Sequence, residues 1–308
     1  MKNVIIIGSG PAGYSAAIYL ARGNLAPLMI SGFEEGGQLM TTTEVENYPG
    51  FAEAVQGPWL MEQMKQQAIN VGTEMVMDKV TSVDFSKRPF TLKTEFGAEY
   101  SSDAVIIATG AQAKWLGLPT EIEFRGYGVS GCATCDGFFF KGKEVMVIGG
   151  GNTAVEEAIY LTNHASKVTL IHRKDKLRCE KVLEEKLLKN PKINIIWNTE
   201  LIEVLGQREP NKIVSGARIK NTNGEISEIK VSGIFVAIGH KPSTEFLKNS
   251  GLEMDEEGYI KVKPGTTFTN IEGVLAAGDV ADKVYRQAIT AAGLGCIAAL
   301  DVIKLLEK

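Results

Sequence analysis

A glycine-rich turn directly after an apolar strand occurs twice in this chain, and this repetition limits the possible folds more than any other feature. The first copy is NVIIIGSGPAG (residues 3–13) and the second is EVMVIGGGNTA (residues 144–154), and a helical pattern follows each. In such a turn the first glycine makes a tight bend, the second lets a pyrophosphate approach the backbone, and the third position lets helix and strand pack closely. One turn of this kind can be merely structural, but two in the right context predict two dinucleotide-binding units.

A second pair of similar segments supports the duplication. DAVIIATGAQ (103–112) and SGIFVAIGHK (232–241) are both apolar strands that end in a glycine. Apolar strands that alternate with helical patterns predict an α/β fold with parallel sheets and crossover helices. We therefore expect two Rossmann-like dinucleotide-binding domains, each with three layers.

The C-terminal part of the chain is expected to return to the first domain. The strand VLAAGDV (274–280) ends in Gly278 and Asp279, and a helical pattern follows it. If a flavin lies along the first unit, Asp279 can bond its ribitol, and the helix N-terminus near Gln287 and Ala288 can meet its pyrimidine end. The second domain is then inserted into the first. The predicted segments are 1–112 for the first part of the first domain, 113–242 for the inserted second domain with the cysteine pair, and 243–308 for the rest of the first domain.

The residues after the second strand of each unit distinguish the two cofactors. In the first unit the strand LMIS is followed by Glu34 and Glu35, and an acid in this region accepts hydrogen bonds from an unmodified ribose. In the second unit the strand VTLIH is followed by Arg173, Lys174 and Arg178, and a basic cluster suits a ribose 2′-phosphate. The alternative is a solvated basic turn. The pattern predicts FAD in the first unit and NADPH in the second.

Composition excludes several classes of partner. The chain has 308 residues, a net charge of −4 and a pI of about 5.6, so it offers no basic surface for nucleic acid and no sign of membrane attachment. No apolar run is expected to reach the roughly 18 residues that span a bilayer, and the N-terminus lacks a signal peptide's cleavage pattern. The sequence therefore predicts a cytoplasmic protein.

Two cysteines, Cys132 and Cys135, stand two residues apart in the segment GCATCDGFFF. A zinc site needs about four ligands, but Cys179 and Cys296 fall on apparent helices and the chain has only 3 histidines. A structural disulfide is disfavoured in a reducing cytosol and closes too short a loop to add much stability. A redox-active dithiol is the reading that remains, and no metal is expected.

The residues that follow the cysteine pair have less specific readings. Asp136 fits a general acid that protonates a departing thiolate, and its alternative role is a turn or helix cap. Phe138, Phe139 and Phe140 are expected to be strand residues that face the core, with an apolar seat for a protein partner as the minority reading.

These features together resemble the pyridine nucleotide–disulfide oxidoreductases, most closely their low-molecular-weight thioredoxin reductase branch, along essentially the whole chain. The segments that carry the resemblance are GSGPAGYSAA, GGQLMTTTEVENYPG, IIATGA, CATCDGFF, GGGNTAVEEA, HRKDKLR, VAIGH, AAGDV and YRQAIT. The dithiol between the two nucleotide motifs is the most specific of them. Two positions depart from the family pattern, because Lys174 stands where the family has a second arginine and Tyr127 replaces an arginine before GVS. Lysine keeps the charge but loses the planar fork.

The turns and the resemblance together imply the cofactor contacts. The predicted FAD residues are Gly8, Ser9, Gly10, Pro11, Ala12, Gly13, Glu34, Gly37, Gln38, Asn47, Gly110, Gly278, Asp279, Arg286, Gln287 and Ala288. The predicted residues of the NADPH domain are Gly149, Gly151, Asn152, Thr153, Glu156, His172, Arg173, Lys174, Arg178 and Gly239.

The resemblance also implies a division of labour within a homodimer. Cys135 is expected to exchange electrons with the flavin, and Cys132 is expected to attack the disulfide of thioredoxin. The nicotinamide and the disulfide must each approach the flavin, and Cys132 must also reach thioredoxin. One fixed arrangement is not expected to allow all three contacts, so the NADPH domain is expected to rotate on hinges near Gly110 and Gly239. The alternatives are a flavin dithiol oxidase, a ferredoxin-fed reductase and a zinc-binding interaction protein.

Overall fold

The fold is taken from a computed structural model that describes residues 2–42 and 44–307. The helices are α1 (Pro11–Arg22), α2 (Gly57–Asn70), α3 (Pro119–Phe124), α4 (Ala133–Asp136), α5 (Asn152–Leu161), α6 (Lys181–Leu188) and α7 (Ala288–Leu306). The strands are β1 (Lys2–Ile7), β2 (Leu28–Ile30), β3 (Glu74–Val76), β4 (Val80–Asp84), β5 (Phe90–Thr94), β6 (Glu99–Ile107), β7 (Ala111–Ala113), β8 (Val129–Ser130), β9 (Glu144–Ile148), β10 (Lys167–Ile171), β11 (Ile193–Ile196), β12 (Thr199–Gln207), β13 (Ile213–Asn221), β14 (Ile226–Ile229), β15 (Gly233–Val236), β16 (His240–Pro242) and β17 (Val274–Ala276).

The chain divides into two compact units. Unit 1 comprises Met1–Gln112 and Lys241–Lys308, and unit 2 comprises Ala113–His240. The segments that connect them, β7 and β16, pair with each other as a two-stranded sheet.

Unit 1 is built on a parallel sheet in the order β3-β2-β1-β6-β17, and the β4–β5 hairpin joins the first half of β6 in antiparallel fashion. Strand residues alternate between two faces. Val4, Ile6 and Ala104 pack with α1, α2 and α7 on one face. Ile5 and Val105 pack on the other face with the hairpin and with the segment that precedes α7.

Unit 2 repeats this plan. Its sheet is parallel throughout, in the order β11-β10-β9-β15-β8. Val145 and Val147 face α4, α5 and α6, while Met146 and Ile148 face the antiparallel sheet β12-β13-β14. Both units are three-layered, so the predicted pair of Rossmann-like folds is confirmed.

Three local expectations from the sequence are wrong. Phe138–Phe140 belong to a 3-10 helix, and only Phe140 is fully buried while Phe138 is 56% exposed. The short segment between β8 and β9 is too tightly turned to run as a strand. Cys179 lies in an irregular segment before α6 rather than on a helix.

The third wrong expectation concerns apolar runs. Helix α7 spans 19 residues with a mean hydropathy of 1.9, so by length and composition alone it could cross a membrane. Within unit 1 its small residues pack against α1. A Cβ on Gly295 would lie 2.1 Å from the Ala12 carbonyl oxygen, which shows how closely the two helices approach. The small residues of α7 therefore serve a tight helix–helix contact, while only 33% of this apolar helix is buried.

Candidate active site and cofactor sites

The first glycine turn has a tight geometry and an open face. Gly8 has a φ of +104°, and a Cβ there would lie 2.4 Å from the Ala108 carbonyl oxygen. A Cβ on Gly13 would lie 2.1 Å from the Gly8 carbonyl oxygen, so both positions require glycine. Around Gly10, in contrast, no other atom of residues 2–42 and 44–307, apart from its chain neighbours, lies within 4 Å of an added Cβ. The turn is closed where strand and helix meet and open where a phosphate would approach.

The start of α1 leaves its amides available. Gly10 is the N-cap residue and no side chain caps the helix, which begins at Pro11. The Ser9 hydroxyl faces inward, where it donates to the Ser31 carbonyl oxygen at 2.9 Å and accepts from the Gly36 amide at 3.1 Å. Uncapped N–H groups at a helix N-terminus form an anion-binding site.

Two other predicted FAD residues lie against this turn, and others contact each other or neighbouring loops of unit 1. A Cβ on Gly37 would lie 3.7 Å from the Gly10 Cα atom, and one on Gly278 would lie 2.9 Å from the Ala12 Cβ atom. The Gln38 side-chain amide donates to the Ala111 carbonyl oxygen. The Asn47 amide donates to the Gln287 side-chain oxygen at 3.4 Å, which joins the segment before α2 to the start of α7. Gly110 has a φ of +67° and open space around it.

The two acids after β2 have different environments. Glu35 is part-buried, forms an ion pair with Lys65 at 2.9 Å and accepts a hydrogen bond from the Tyr14 hydroxyl at 3.3 Å. Glu34 is exposed, and its contact is a long hydrogen bond of 3.4 Å from the Gln112 amide. Glu34 is therefore the acid that remains accessible to a ribose.

Asp279 is a buried carboxyl with an unsatisfied oxygen. Among the described residues, no hydrogen-bond partner reaches its Oδ1 atom. Burial, reinforced by Asp282 and opposed by Arg286, raises the pKa of Asp279 to about 7. A buried polar atom without a partner is costly, so this oxygen marks a place where a ligand hydroxyl would be stabilised.

The loop from Asp279 leads into the N-terminus of α7. Arg286 has a left-handed backbone with a φ of +47°, and its guanidinium donates to the Lys283 carbonyl oxygen at 2.6 Å. Gln287 caps the helix together with Thr290 in a reciprocal capping box. The helix proper starts at Ala288, and its positive end suits negative charge.

The second glycine turn repeats the geometry of the first. A Cβ on Gly149 would lie 2.5 Å from the Ala237 carbonyl oxygen, whereas Gly151 has no atom within 4 Å of an added Cβ. Gly151 is the N-cap of α5, again without a side-chain cap. The third position is Ala154, whose methyl group is fully buried. Unit 2 therefore also offers an open, amide-rich cradle for a phosphate.

A basic cluster lies beside this cradle. The Arg178 amide donates to the Gly150 carbonyl oxygen at 2.7 Å, and Arg178 forms an isolated parallel bridge with Gly151. Arg173, Lys174 and Arg178 are all exposed. The backbone thus holds one arginine directly next to the turn and leaves the three side chains accessible to an anion.

Among the remaining predicted residues of unit 2, Asn152 and His172 have contacts within the protein itself. The Asn152 side chain accepts from the Glu180 amide at 2.9 Å. His172 is only 4% exposed and lies under Gly150, where an added Cβ would come within 2.2 Å of the imidazole. Burial lowers the pKa of His172 and keeps the ring neutral. Three further predicted residues differ in exposure: Thr153 is half-buried, Glu156 is exposed, and Gly239 has a φ of +99° with open space around it.

The two cysteines of the CxxC segment form a disulfide in unit 2. Cys132 and Cys135 are half-buried, with 5.4 Å between their Cα atoms. Cys132 is the N-cap of α4, and its sulfur accepts from the Cys135 amide at 3.2 Å. The Cys132 amide donates to the Ser130 hydroxyl at 3.0 Å. Among residues 2–42 and 44–307 there is no cluster of three or more side chains that could hold a metal ion.

Asp136 lies in a position that favours its protonated form. Burial raises the pKa of Asp136, and a hydrogen bond with Ser130 opposes that effect in part. Asp136 precedes the 3-10 helix Gly137–Phe140, but its side chain makes no capping hydrogen bond. These observations favour an acid over a cap. Ser130, which contacts both the cysteine amide and this carboxyl, was missed from the sequence, and its place two residues before Cys132 was the available signal.

Comparisons with known proteins agree with this arrangement. Residues 2–295 match the family described as pyridine nucleotide-disulphide oxidoreductase. The chain is 60% identical over 307 residues to a thioredoxin reductase of Rickettsia felis, covering 99% of this chain and 98% of that protein. A solved thioredoxin reductase from Giardia duodenalis is 42% identical, covers 99% of each chain and superposes with a TM-score of 0.95.

A third relative is similar in sequence but superposes less well. The Lactococcus lactis thioredoxin reductase, described as the FR conformation, is 40% identical, covers 100% of each chain and superposes with a TM-score of 0.65. The chain therefore belongs to the pyridine nucleotide-disulphide oxidoreductase family and, within it, to the FAD- and NADPH-dependent low-molecular-weight thioredoxin reductases.

Proposed function

We propose that this enzyme uses NADPH and FAD to reduce the disulfide of thioredoxin through Cys132 and Cys135. The observation that carries the proposal is the half-buried Cys132–Cys135 disulfide, which lies next to the protonatable Asp136 and in the same unit as the second glycine turn. A redox pair needs an electron source within the same enzyme. Two dinucleotide sites, one for NADPH and one for FAD, would provide that source.

We assign FAD to unit 1 because the residues there fit that group. The open cradle at Gly10 suits the pyrophosphate, and the exposed Glu34 suits the ribose. The unsatisfied, buried Oδ1 atom of Asp279 suits a ribitol hydroxyl. The positive end of α7 at Ala288 suits a ring that gains negative charge.

We assign NADPH to unit 2. The cradle at Gly151 suits the pyrophosphate, and Arg173, Lys174 and Arg178 form a cationic site for the 2′-phosphate. Asp175 stands four residues after the end of β10, as Glu34 does after β2, but three exposed basic residues lie close to it in the sequence. The buried, neutral His172 supports the floor of this cradle at Gly150.

The residues of the dithiol divide the chemistry. FAD, when bound, relays an electron pair from NADPH to the disulfide. That pair breaks the Cys132–Cys135 bond, and the Cys132 thiolate attacks one sulfur of the thioredoxin disulfide. The other thioredoxin sulfur departs and takes a proton from Asp136. The Cys135 thiolate then attacks the Cys132 sulfur, which releases the reduced thioredoxin and re-forms the disulfide.

We further propose that unit 2 rotates between half-reactions on the two connecting segments. Gly110 and Gly239, with φ values of +67° and +99° and open space around them, can absorb the backbone change. Support comes from the solved relatives, whose superposition falls from a TM-score of 0.95 to 0.65 at nearly constant sequence identity. Such a drop is expected when a two-unit enzyme occurs in more than one arrangement.

We also propose that the enzyme is cytoplasmic and forms a homodimer.

Substitution of the two cysteines tests the function. Cys132→Ser and Cys135→Ser should each abolish NADPH-driven reduction of thioredoxin, because each removes one atom of the disulfide. With FAD bound, Cys132→Ser retains a single thiolate at Cys135 and should show a long-wavelength charge-transfer absorption that Cys135→Ser lacks. Cys179→Ser, at a half-buried thiol in the same unit, is the matched control and should retain activity. Full turnover in either CxxC variant would contradict the proposal.

An anaerobic NADPH titration separates this function from two alternatives. Bleaching of the flavin absorption by NADPH is expected. A dithiol oxidase or a ferredoxin-fed reductase would leave the flavin oxidised under the same conditions.

A further inference from the structure

Two exposed aromatic side chains in unit 1 belong to neither hydrophobic core. Phe33 and Phe96, which we call the aromatic pair, are 47% and 75% exposed. Their ring centroids are 5.4 Å apart with 50° between the ring planes. Met77, which is 62% exposed, directly precedes Asp78, whose carboxylate accepts from the Phe96 amide. Exposed aromatic rings that contact each other are a candidate binding surface.

Buried hydrogen bonds hold the aromatic pair in place. Asp78 is only 3% exposed, and its carboxylate accepts from the Lys79 amide at 2.7 Å and from the Phe96 amide at 3.4 Å. The Asp78 carbonyl oxygen accepts from the Gly32 amide at 2.9 Å, directly before Phe33. One buried residue therefore connects both loops, so the exposed rings are presented on a fixed scaffold.

The position of the aromatic pair relates it to the dinucleotide. The sheet runs from β1 through β2 to β3, and the phosphate cradle follows β1. Glu34 follows β2, and Phe33 is its neighbour; the loop after β3 carries Met77 and Asp78. In this type of unit the acid after the second strand binds the adenosine ribose, so the adenine lies beyond it, away from the pyrophosphate. The aromatic pair lies at that end of the site.

We propose that the aromatic pair is the stacking platform for the adenine of FAD, and that it makes the enzyme select FAD over flavins that lack adenosine. This rests on the proposed assignment of FAD to unit 1. At 5.4 Å the two rings leave no space for a third ring between them, so adenine stacks on their open side. Every base offers an aromatic face, and stacking on an exposed side chain contributes affinity without hydrogen bonds.

Flavin binding to the FAD-free protein tests the proposal. FAD and FMN are titrated by quenching of flavin fluorescence, and ADP is used as a competitor of FAD. The double variant Phe33→Ala/Phe96→Ala should bind FAD and ADP about tenfold more weakly, as expected for loss of base stacking, and FMN as the wild type does. Phe96→Trp should keep the wild-type affinity for FAD because it keeps an aromatic face.

The control is Phe51→Ala, which removes another exposed aromatic ring of unit 1, one that packs edge-to-face on Trp59. It should leave binding of all three ligands unchanged. Wild-type FAD affinity in the double variant, or an equal loss for FAD and FMN, would overturn the proposal while leaving the function intact. A wild-type protein that binds no FAD would overturn the proposed function and this proposal together.

Discussion

The two glycine turns share one backbone design, yet their surroundings differ in charge and in burial. In both, an added Cβ at the first glycine would collide with a carbonyl oxygen, at 2.4 Å for Gly8 and at 2.5 Å for Gly149, while the second glycine faces open space. The turn of unit 1 is flanked by the exposed acid Glu34 and that of unit 2 by the exposed Arg173 and Arg178. The duplicated fold supplies two similar open turns, and we propose that the residues after the second strand of each unit select the nucleotide.

The two units also use a buried carboxyl in different ways. Burial raises the pKa of both Asp136 and Asp279. Asp136 has a partner in Ser130 and lies next to a disulfide, whereas one oxygen of Asp279 lacks a partner among the described residues. A buried acid with a neighbour that reacts is suited to proton transfer, and a buried acid with an unmatched oxygen is suited to hold a ligand.

The largest effect is expected from adding one methyl group to either open cradle. Gly10 and Gly151 have φ values of −74° and −97°, which alanine adopts without strain, and no protein atom is close. Gly10→Ala should therefore lose FAD, and Gly151→Ala should retain FAD but lose productive NADPH binding. The free energy of unfolding of each should stay within about 0.5 kcal/mol of the wild type.

Flavin content, NADPH titration and urea unfolding measure these three outcomes. Gly293→Ala is the matched control, because this exposed glycine of α7 also has no atom within 4 Å of an added Cβ. If Gly10→Ala binds FAD stoichiometrically, the two cradles are not equivalent.

The second prediction concerns Asp136. Removing a general acid typically slows a reaction by about 10²–10⁴-fold, so Asp136→Asn should slow thioredoxin reduction by a factor in that range. Because only the protonated carboxyl donates, the wild-type rate should fall as pH rises through the raised pKa of Asp136. The Asn variant should lack this pH dependence. Rapid mixing of the pre-reduced enzyme with thioredoxin measures the step, and an unchanged pH profile would argue for a structural role.

The third prediction concerns Asp279, the buried acid of unit 1, whose raised pKa should affect stability rather than proton transfer. Its pKa rises from 3.8 in the unfolded chain to about 7 in the folded protein. The stability that its neutral form contributes is complete below pH 4 and is lost as pH rises through 7. Above pH 7 the FAD-free Asp279→Asn variant should therefore be more stable than the wild type, by up to roughly 4 kcal/mol at 1.36 kcal/mol per pKa unit.

Urea unfolding of the FAD-free proteins at pH 5 and pH 8 measures this difference, which should grow with pH. The same variant should bind FAD more weakly, because an amide oxygen is a weaker acceptor for a ribitol hydroxyl than a carboxylate. A difference in stability that shrinks with pH would contradict the burial of this carboxyl.

The smallest effect is expected from the basic cluster of unit 2. Charge-assisted hydrogen bonds contribute about 1.5–3 kcal/mol each, so Arg173→Ala and Arg178→Ala should each raise the KM for NADPH by about one to two decades. The KM for NADH should hardly change, since NADH lacks the 2′-phosphate. Lys176→Ala, at another exposed basic residue of the same loop, is the control. Equal losses with both coenzymes would show that the arginines act elsewhere.

The sequence by itself determined the repeated plan of the molecule. Glycine at positions 8 and 149 is required by backbone collisions that any Cβ would cause, and such local constraints are visible in a pattern of residues. The cysteine pair was visible for a similar reason, because Cys132 and Cys135 are close in the chain and form a disulfide at the start of α4. The alternation of apolar strands with helical patterns likewise predicted an α/β fold with parallel sheets.

Only the tertiary structure decided how distant side chains share their surroundings. It distinguished Glu34 from Glu35 because Lys65 and Tyr14, from other elements, engage only the latter. It turned the predicted strand at Phe138–Phe140 into a 3-10 helix and buried the small residues of α7 against α1. It also left Asp279 with an unmatched oxygen and brought Phe33 and Phe96 together. Burial and long-range contacts depend on where separate segments meet, and no local pattern of residues records that.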